Sequence, residues 1–134
     1  MFDTIEKILS VFTDTKASDW KPHANGGGFV QMTATVDLTA RIELGALVYG
    51  SALVYGGRWL VSPPYIQGTR DSLTLSSPTE ISVGCITHPI ELWLDKYQQI
   101  GQANAYSPTE IEEYGEWLAV LAKRAQAIFL KETP

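Results

Sequence analysis

An aliphatic residue recurs at every sixth position through the middle of this chain. The run continues for seven positions, and a small residue stands two places before four of them. A strand has a period of two and a helix a period of 3.6, whereas one side of a parallel β-helix takes about six residues. The pattern therefore predicts a solenoid. The aliphatic residues are Val30, Val36, Ile42, Val48, Val54, Leu60 and Ile66, and the small ones are Ala34, Ala40, Ala46 and Ala52.

The expected fold is mainly β with helical appendages. We expect an N-terminal helix and linker over residues 1–28, a short left-handed parallel β-helix with an irregular cap over 29–86, and a C-terminal helical hairpin over 87–134. The helices follow from apolar residues at helical spacing. The second C-terminal helix opens with the capping box Ser107-Pro108-Thr109-Glu110, whereas the same four letters at 77–80 precede strand-like alternation and predict no helix.

Apolar side chains at outward positions of the repeat predict self-association. A surface of this kind is rarely left in solvent on a small domain. Two coils also leave both ends of the core uncovered. Three-fold packing is the usual arrangement of such prisms, so we expect a homo-oligomer and specifically a trimer. The outward positions are Leu47, Tyr49, Leu53, Tyr55, Trp59 and Tyr65.

Composition and charge argue against several classes of protein. The net charge of the 134 residues is −5 and the basic residues are scattered, which argues against neutralisation of nucleic-acid phosphates. No apolar run reaches membrane-spanning length, and Asp3 and Glu6 stand where a signal peptide needs a basic start. The single cysteine, Cys85, fits a reducing compartment. We expect a cytoplasmic protein without nucleic-acid or membrane partners.

Two adjacent segments, residues 45–50 and 51–56, are almost identical in sequence. They resemble the hexapeptide-repeat superfamily, which includes trimeric acyltransferases and non-enzymatic proteins. Residues 34–122 also resemble phage and prophage proteins that join a few such repeats to a helical tail. This likeness implies a phage-encoded accessory protein and supplies no reaction. It rests on Ile66-Gln67-Gly68-Thr69-Arg70, Val83-Gly84-Cys85, His88, Trp93-Leu94, Ile100-Gly101, Tyr106-Ser107 and Glu110-Ile111-Glu112-Glu113-Tyr114.

A site for a small anion is predicted where the repeat ends and the helical tail begins. Regular strand pairing lapses there and leaves backbone N–H groups free. Arg70 would supply charge for a phosphate or carboxylate, and a protonated His88 would add a second donor. The competing interpretation is a salt bridge from Arg70 to Asp71 or Glu80 that closes the cap. The other candidate ligand-binding residues are Gln67 and Thr69 in the same segment, and Trp59 and Tyr65 as an outer stacking surface.

Cys85 and His88 have a C-x-x-H spacing that fits two kinds of chemistry. They could act as a catalytic nucleophile with its general base, or they could supply two ligands of a zinc site. Zinc needs three or four protein ligands, and His23 is the only other histidine. No Asp or Asn is evidently placed to orient a catalytic pair. We therefore expect Cys85 to be a small buried residue and His88 to lie at the helix cap, with no metal, cofactor or catalytic residue.

The predicted function is stoichiometric capture by a phage- or prophage-encoded homo-oligomer. Its target would be a small anionic ligand or a host protein, and interference with host defence is one such use. Two alternatives stay open: an acyltransferase of the hexapeptide-repeat superfamily and a structural component of the virion. The acyltransferase is less favoured because two coils offer little length for a coenzyme A groove and His88 lies outside the repeat. Enzyme activity is thus undecided, with binding preferred.

Overall fold

The chain passes from one structural unit to another between Pro63 and Pro64. A computed structural model, which describes residues 1–129, assigns residues 1–63 to the first unit and those from Pro64 onward to the second. Residues 130–134 of the predicted helical tail lie outside the described part. No helix of the described residues is long and apolar enough to cross a membrane.

The first unit consists of one short helix, a 3-10 turn and seven short strands. Its helix α1 (Ile5–Val11) is N-capped by Thr4, whose hydroxyl accepts a hydrogen bond of 3.3 Å from the Lys7 N–H. The 3-10 turn is Ala17–Asp19. The strands are β1 (Trp20–Pro22), β2 (Phe29–Gln31), β3 (Thr35–Val36), β4 (Arg41–Ile42), β5 (Leu47–Val48), β6 (Leu53–Val54) and β7 (Arg58–Trp59).

The six-residue repeat corresponds to three short parallel strand pairs. Strand β2 pairs with β5, β3 with β6 and β4 with β7. The paired residues are 18 positions apart in the first two pairs, where Val30 faces Val48 and Thr35 faces Leu53. In the third pair the separation is 17, because Ile42 faces Trp59.

The change from 18 to 17 moves Trp59 into the buried position that the repeat predicts for Leu60. Gly57 has φ +95°, a conformation that glycine adopts without strain, and the chain turns there one residue early. Trp59 is fully buried and donates from Nε1 to the Gly56 carbonyl at 2.9 Å, whereas Leu60 is 53% exposed. The expectation that Trp59 faces outward is therefore wrong.

Helix α1 covers part of the apolar surface that we expected to face outward. Ile8 is fully buried and packs with Trp20 and Leu47. The Phe12 ring lies 5.2 Å from that of Trp20 and 5.4 Å from that of Tyr49, centroid to centroid. Leu47 is consequently buried inside the unit.

The second unit is an antiparallel sheet packed with two helices. Its four strands lie in sequence order, each paired with the next, and the two helices contact each other and the sheet. The capping box at the start of the second helix is confirmed. The Glu110 carboxylate accepts a hydrogen bond of 2.7 Å from the Ser107 N–H, and the Ser107 hydroxyl accepts one of 3.2 Å from the Glu110 N–H. The elements are β8 (Tyr65–Gln67), β9 (Ser72–Ser77), β10 (Glu80–Val83), β11 (Ile86–Pro89), α2 (Ile90–Ala103) and α3 (Pro108–Phe129).

The predicted left-handed β-helix is wrong. The described strands form four small sheets that mix parallel and antiparallel pairs, and no continuous parallel solenoid is seen among them. Beyond Pro63-Pro64, where two residues lack the N–H that a ladder requires, the strands are joined by links of two residues at 78–79 and 84–85. Links this short allow only antiparallel hairpins, because a parallel connection needs a dozen or more residues.

Candidate functional site

A cavity of about 250 Å³ lies inside the second unit, between the β10–β11 turn and the two helices. It is larger than the roughly 150 Å³ that accommodate a benzene molecule in an engineered protein cavity. Its walls come from the loop after β8, from the β10–β11 hairpin and from both helices. The lining residues are Arg70, Asp71, Val83, Gly84, Cys85, Ile86, Trp93, Tyr97, Ile100, Gly101, Asn104, Tyr106, Ile111, Tyr114 and Leu118.

One wall of the cavity depends on the close approach of α3 to Gly101 of α2. A Cβ atom at this position would lie 2.8 Å from Cγ1 of Ile111, closer than side chains tolerate. Glycine in a helix interior costs about 0.5–1 kcal/mol relative to alanine. Glycine is needed here because α2 and α3 lie so close together that a larger residue would collide with Ile111.

The loop between β8 and β9 is held against α3 by the Tyr114 hydroxyl. This oxygen accepts from the backbone N–H groups of Arg70 at 2.8 Å and Asp71 at 2.5 Å, and donates to the Asp71 carbonyl at 2.8 Å. Glu113 accepts from the Thr69 hydroxyl at 2.6 Å and from its N–H at 3.2 Å. The hydrogen bond from Thr69 lowers the pKa of Glu113. The backbone N–H groups of residues 69–71, in the segment where we expected free donors for an anion, are thus bound by α3.

The Arg70 guanidinium is bound at the C-terminal end of α2. It donates to the Ala105 carbonyl at 2.9 Å and to the Asn104 carbonyl at 3.1 Å, and it lies 4.5 Å from the centre of the Tyr106 ring. Glu110 is 3.6 Å away. These contacts are typical of a cation that caps a helix. They support the salt-bridge interpretation, with Glu110 in place of the expected Asp71 or Glu80.

The Asp71 carboxylate is the cavity's second charged group, and it is bound differently. The Tyr106 hydroxyl donates to its Oδ2. Burial, together with this hydrogen bond to a carboxylate, raises the pKa of Tyr106 above its usual range, so the phenol stays a donor. Within residues 1–129, no lysine, arginine or histidine forms an ion pair with Asp71.

No family model, curated protein or solved structure matches this chain. The resemblance to hexapeptide-repeat proteins therefore stays a prediction.

The Cys85 and His88 side chains occupy different environments. Cys85 lies at the turn between β10 and β11, where it is exposed and lines the cavity. Our expectation of a buried Cys85 is wrong. His88 lies on β11 opposite Ile81, and its ring is 5.1 Å from that of Trp93 in an edge-to-face arrangement. No group of three or more potential ligands within the described residues could hold a metal ion.

The other predicted ligand-binding residues do not line the cavity. Tyr65 and Gln67 contact each other on β8, where the Tyr65 hydroxyl donates to Gln67 Oε1 at 3.0 Å. Thr69 is bound to Glu113, and Trp59 is buried in the first unit. Of the six predicted residues, only Arg70 reaches this site. Sequence reasoning missed the aromatic wall. Trp93, Tyr97 and Tyr114 have the helical spacing of ordinary core residues, and Tyr106 lies in the loop between α2 and α3, where no periodicity marks it.

Proposed function

We propose that this protein binds a small organic molecule in the cavity of its second unit and acts by stoichiometric capture. The observation that carries the proposal is the cavity itself, about 250 Å³ with mostly apolar and aromatic walls and a few convergent polar groups. Ligand sites of proteins have this character. At about 30 Å³ for each water molecule, the volume corresponds to about eight waters, and so to a ligand on the order of ten non-hydrogen atoms.

The side chains around the cavity favour binding over catalysis. The Tyr106 phenol has a raised pKa, which makes it a poor acid or base near neutral pH. Cys85 lines the cavity, but His88 packs against Trp93 and is not among the lining residues. The cavity therefore does not combine the Cys85 nucleophile with a histidine general base. An acyltransferase activity finds no support in this arrangement.

The wider context of this function rests on the sequence alone. Phage or prophage origin, a cytoplasmic location and interference with host defence remain parts of the proposal. Capture of a host protein is the second form of binding that the sequence left open, and the cavity favours a small ligand instead. A preference for anions is not retained, since the Arg70 guanidinium is occupied by Glu110 and by the end of α2.

A titration with three phenyl compounds of similar size tests the proposal. The compounds are phenethylamine, 2-phenylethanol and 3-phenylpropionate, and the readout is the amide and indole NMR shifts of the full-length protein. We expect at least one compound to shift the signals of cavity residues, including the Trp93 indole N–H.

A pair of tryptophan variants on one helix provides the control. Ile100→Trp fills the cavity and is expected to abolish the shifts, whereas Leu94→Trp changes an exposed position outside the cavity and should preserve them. Binding that survives Ile100→Trp, or no binding by any of the three compounds, would contradict the proposal.

A further inference from the structure

We propose that the ligand is a small organic ammonium compound, whose charged nitrogen pairs with the Asp71 carboxylate and whose apolar body contacts the aromatic wall. This inference rests on the proposed function and specifies its ligand class. The charges of the cavity, its aromatic side chains and the position of α2 all favour this ligand class.

The two charged groups of the cavity differ in how far they are neutralised. Arg70 has Glu110 at 3.6 Å and donates to two backbone carbonyls, so its positive charge is already compensated. Asp71 accepts from a neutral phenol and has no ion-pair partner among the residues that the structure describes. A ligand cation would therefore find an available counter-charge, and a ligand anion would not.

The aromatic side chains offer ring surfaces, because their polar ends are already bound within the protein. The Trp93 Nε1–H donates to the Ile81 carbonyl at 2.7 Å. The Tyr114 hydroxyl is bound to the backbone of residues 70–71, and the Tyr106 hydroxyl to Asp71. Ring surfaces attract organic cations through their quadrupole. Arg70 already shows this interaction, with its guanidinium over the Tyr106 ring.

The end of α2 adds to the same preference. Gly101 and Asn104, in the last turn and at the C-cap of this 14-residue helix, line the cavity. The C-terminal end of a helix carries partial negative charge on its carbonyl groups. Arg70 donates to the carbonyls of Asn104 and of Ala105, one residue beyond the C-cap, and the other carbonyl groups of the last turn offer no donor to an anion. Charge, ring surfaces and helix polarity thus select the same ligand class.

Affinities for the three phenyl compounds named above separate the ligand classes. The compounds share a phenyl ring and a two-carbon chain and differ in carrying an ammonium, a hydroxyl or a carboxylate group. At low salt we expect phenethylamine to bind at least tenfold more tightly than 2-phenylethanol, with 3-phenylpropionate the weakest. Isothermal titration calorimetry on the full-length protein measures all three.

Asp71→Asn tests the residue that carries the inference. We expect it to weaken phenethylamine binding tenfold or more, while the affinity for 2-phenylethanol stays within twofold and so reports an intact cavity. Asp95→Asn makes the same change in net charge at an exposed position of α2 that does not line the cavity, and it should alter neither affinity.

Tyr106→Phe provides a second variant if Asp71→Asn does not fold. It keeps the ring and the carboxylate and removes the hydroxyl, so the preference for phenethylamine over 2-phenylethanol should persist. Loss of that preference in Tyr106→Phe, or equal affinities of amine and alcohol for the wild-type protein, would overturn the ammonium assignment and leave the binding function standing. Failure of all three compounds to bind would remove both.

Discussion

At the residue scale, Arg70 joins a loop to the end of a helix that terminates irregularly. Ala105 follows the C-cap of α2 with φ 61°, the left-handed conformation that glycine usually adopts at this position. At this helix end the carbonyl groups of Asn104 and Ala105 both accept hydrogen bonds from the Arg70 guanidinium. A cation at a helix C-terminus contributes about 0.3–1 kcal/mol.

We expect Arg70→Ala to lower the free energy of unfolding by about 1 kcal/mol, because it removes the cap of α2 and the contact with the Tyr106 ring. The lost ion pair with Glu110 adds little, since ion pairs at the surface contribute little to stability. Urea unfolding followed by circular dichroism measures the change. Arg124→Ala removes the same charge from an exposed position of α3 and is the control, with an expected change within about 0.5 kcal/mol. Unchanged stability together with a tenfold loss of phosphate or carboxylate binding would instead favour the anion site.

The same scale shows how far sequence reasoning about the site reached. It singled out Arg70 and weighed a structural salt bridge for it, and the contacts support such a bridge to Glu110 rather than to Asp71 or Glu80. It treated Asp71 only as a partner for that arginine. A single sequence does not show which carboxylate is left without an ion-pair partner, because that depends on which cationic side chains lie within 4 Å of it after folding.

At the element scale, the frame of the repeat changes between β6 and β7. Six-residue spacing holds from Val30 to Val54, and Trp59 then follows after five. The turn at Gly57 permits the shorter step, and burial of an indole removes more apolar surface from water than burial of a leucine. The repeat therefore predicted the periodicity correctly up to Val54 and the buried residue wrongly after it.

Two alanine substitutions distinguish the observed frame from the six-residue one. Trp59→Ala should cost about 3–5 kcal/mol, since it empties the space of a fully buried aromatic side chain. Leu60→Ala, at a position that is 53% exposed, should change the free energy of unfolding by less than about 0.5 kcal/mol. Thermal and urea unfolding of both variants provide the comparison. A larger loss of unfolding free energy for Leu60→Ala than for Trp59→Ala would contradict the observed frame and support regular six-residue spacing.

Another element-scale lesson comes from the tetrapeptide Ser-Pro-Thr-Glu, which occurs twice. At 107–110 it caps α3, as predicted from the helical period downstream. At 77–80 it forms the turn between β9 and β10, where the Ser77 hydroxyl donates to Glu80 Oε1 at 3.1 Å. Identical letters adopt different structures because the apolar period that follows them decides which surface is buried.

At the scale of the whole molecule, self-association stays a prediction, but among the side chains first expected to face outward Tyr55 is exposed and others are not. Leu47 and Trp59, two of the residues first expected to be outward, are buried within the first unit. Other large apolar side chains of that unit are exposed instead, and such surfaces commonly mark protein contacts. They are Met32, Leu38, Leu44, Leu60 and Val61.

We expect sedimentation equilibrium at micromolar concentration to show a homo-oligomer. A double variant with Leu60→Lys and Val61→Lys should shift the distribution toward the monomer, because charged side chains oppose burial at a contact. The double variant Leu92→Lys with Leu94→Lys, at two exposed positions of α2, introduces the same charge, and as the matched control it should leave the distribution unchanged. A monomeric wild-type protein would contradict the prediction.

The sequence by itself determined the local features: the six-residue spacing that buries Ile42, Val48 and Val54, the cap at Ser107 and the change to helical periodicity after Pro89. Such features depend on neighbours within a few residues, which a single sequence displays. The tertiary structure alone decided that the strands form separate small sheets, that Trp59 replaces Leu60 in the core, and that four aromatic side chains surround a cavity beside Asp71. These outcomes depend on contacts between residues far apart in the chain, where packing and charge compensation select among arrangements that the local pattern permits equally.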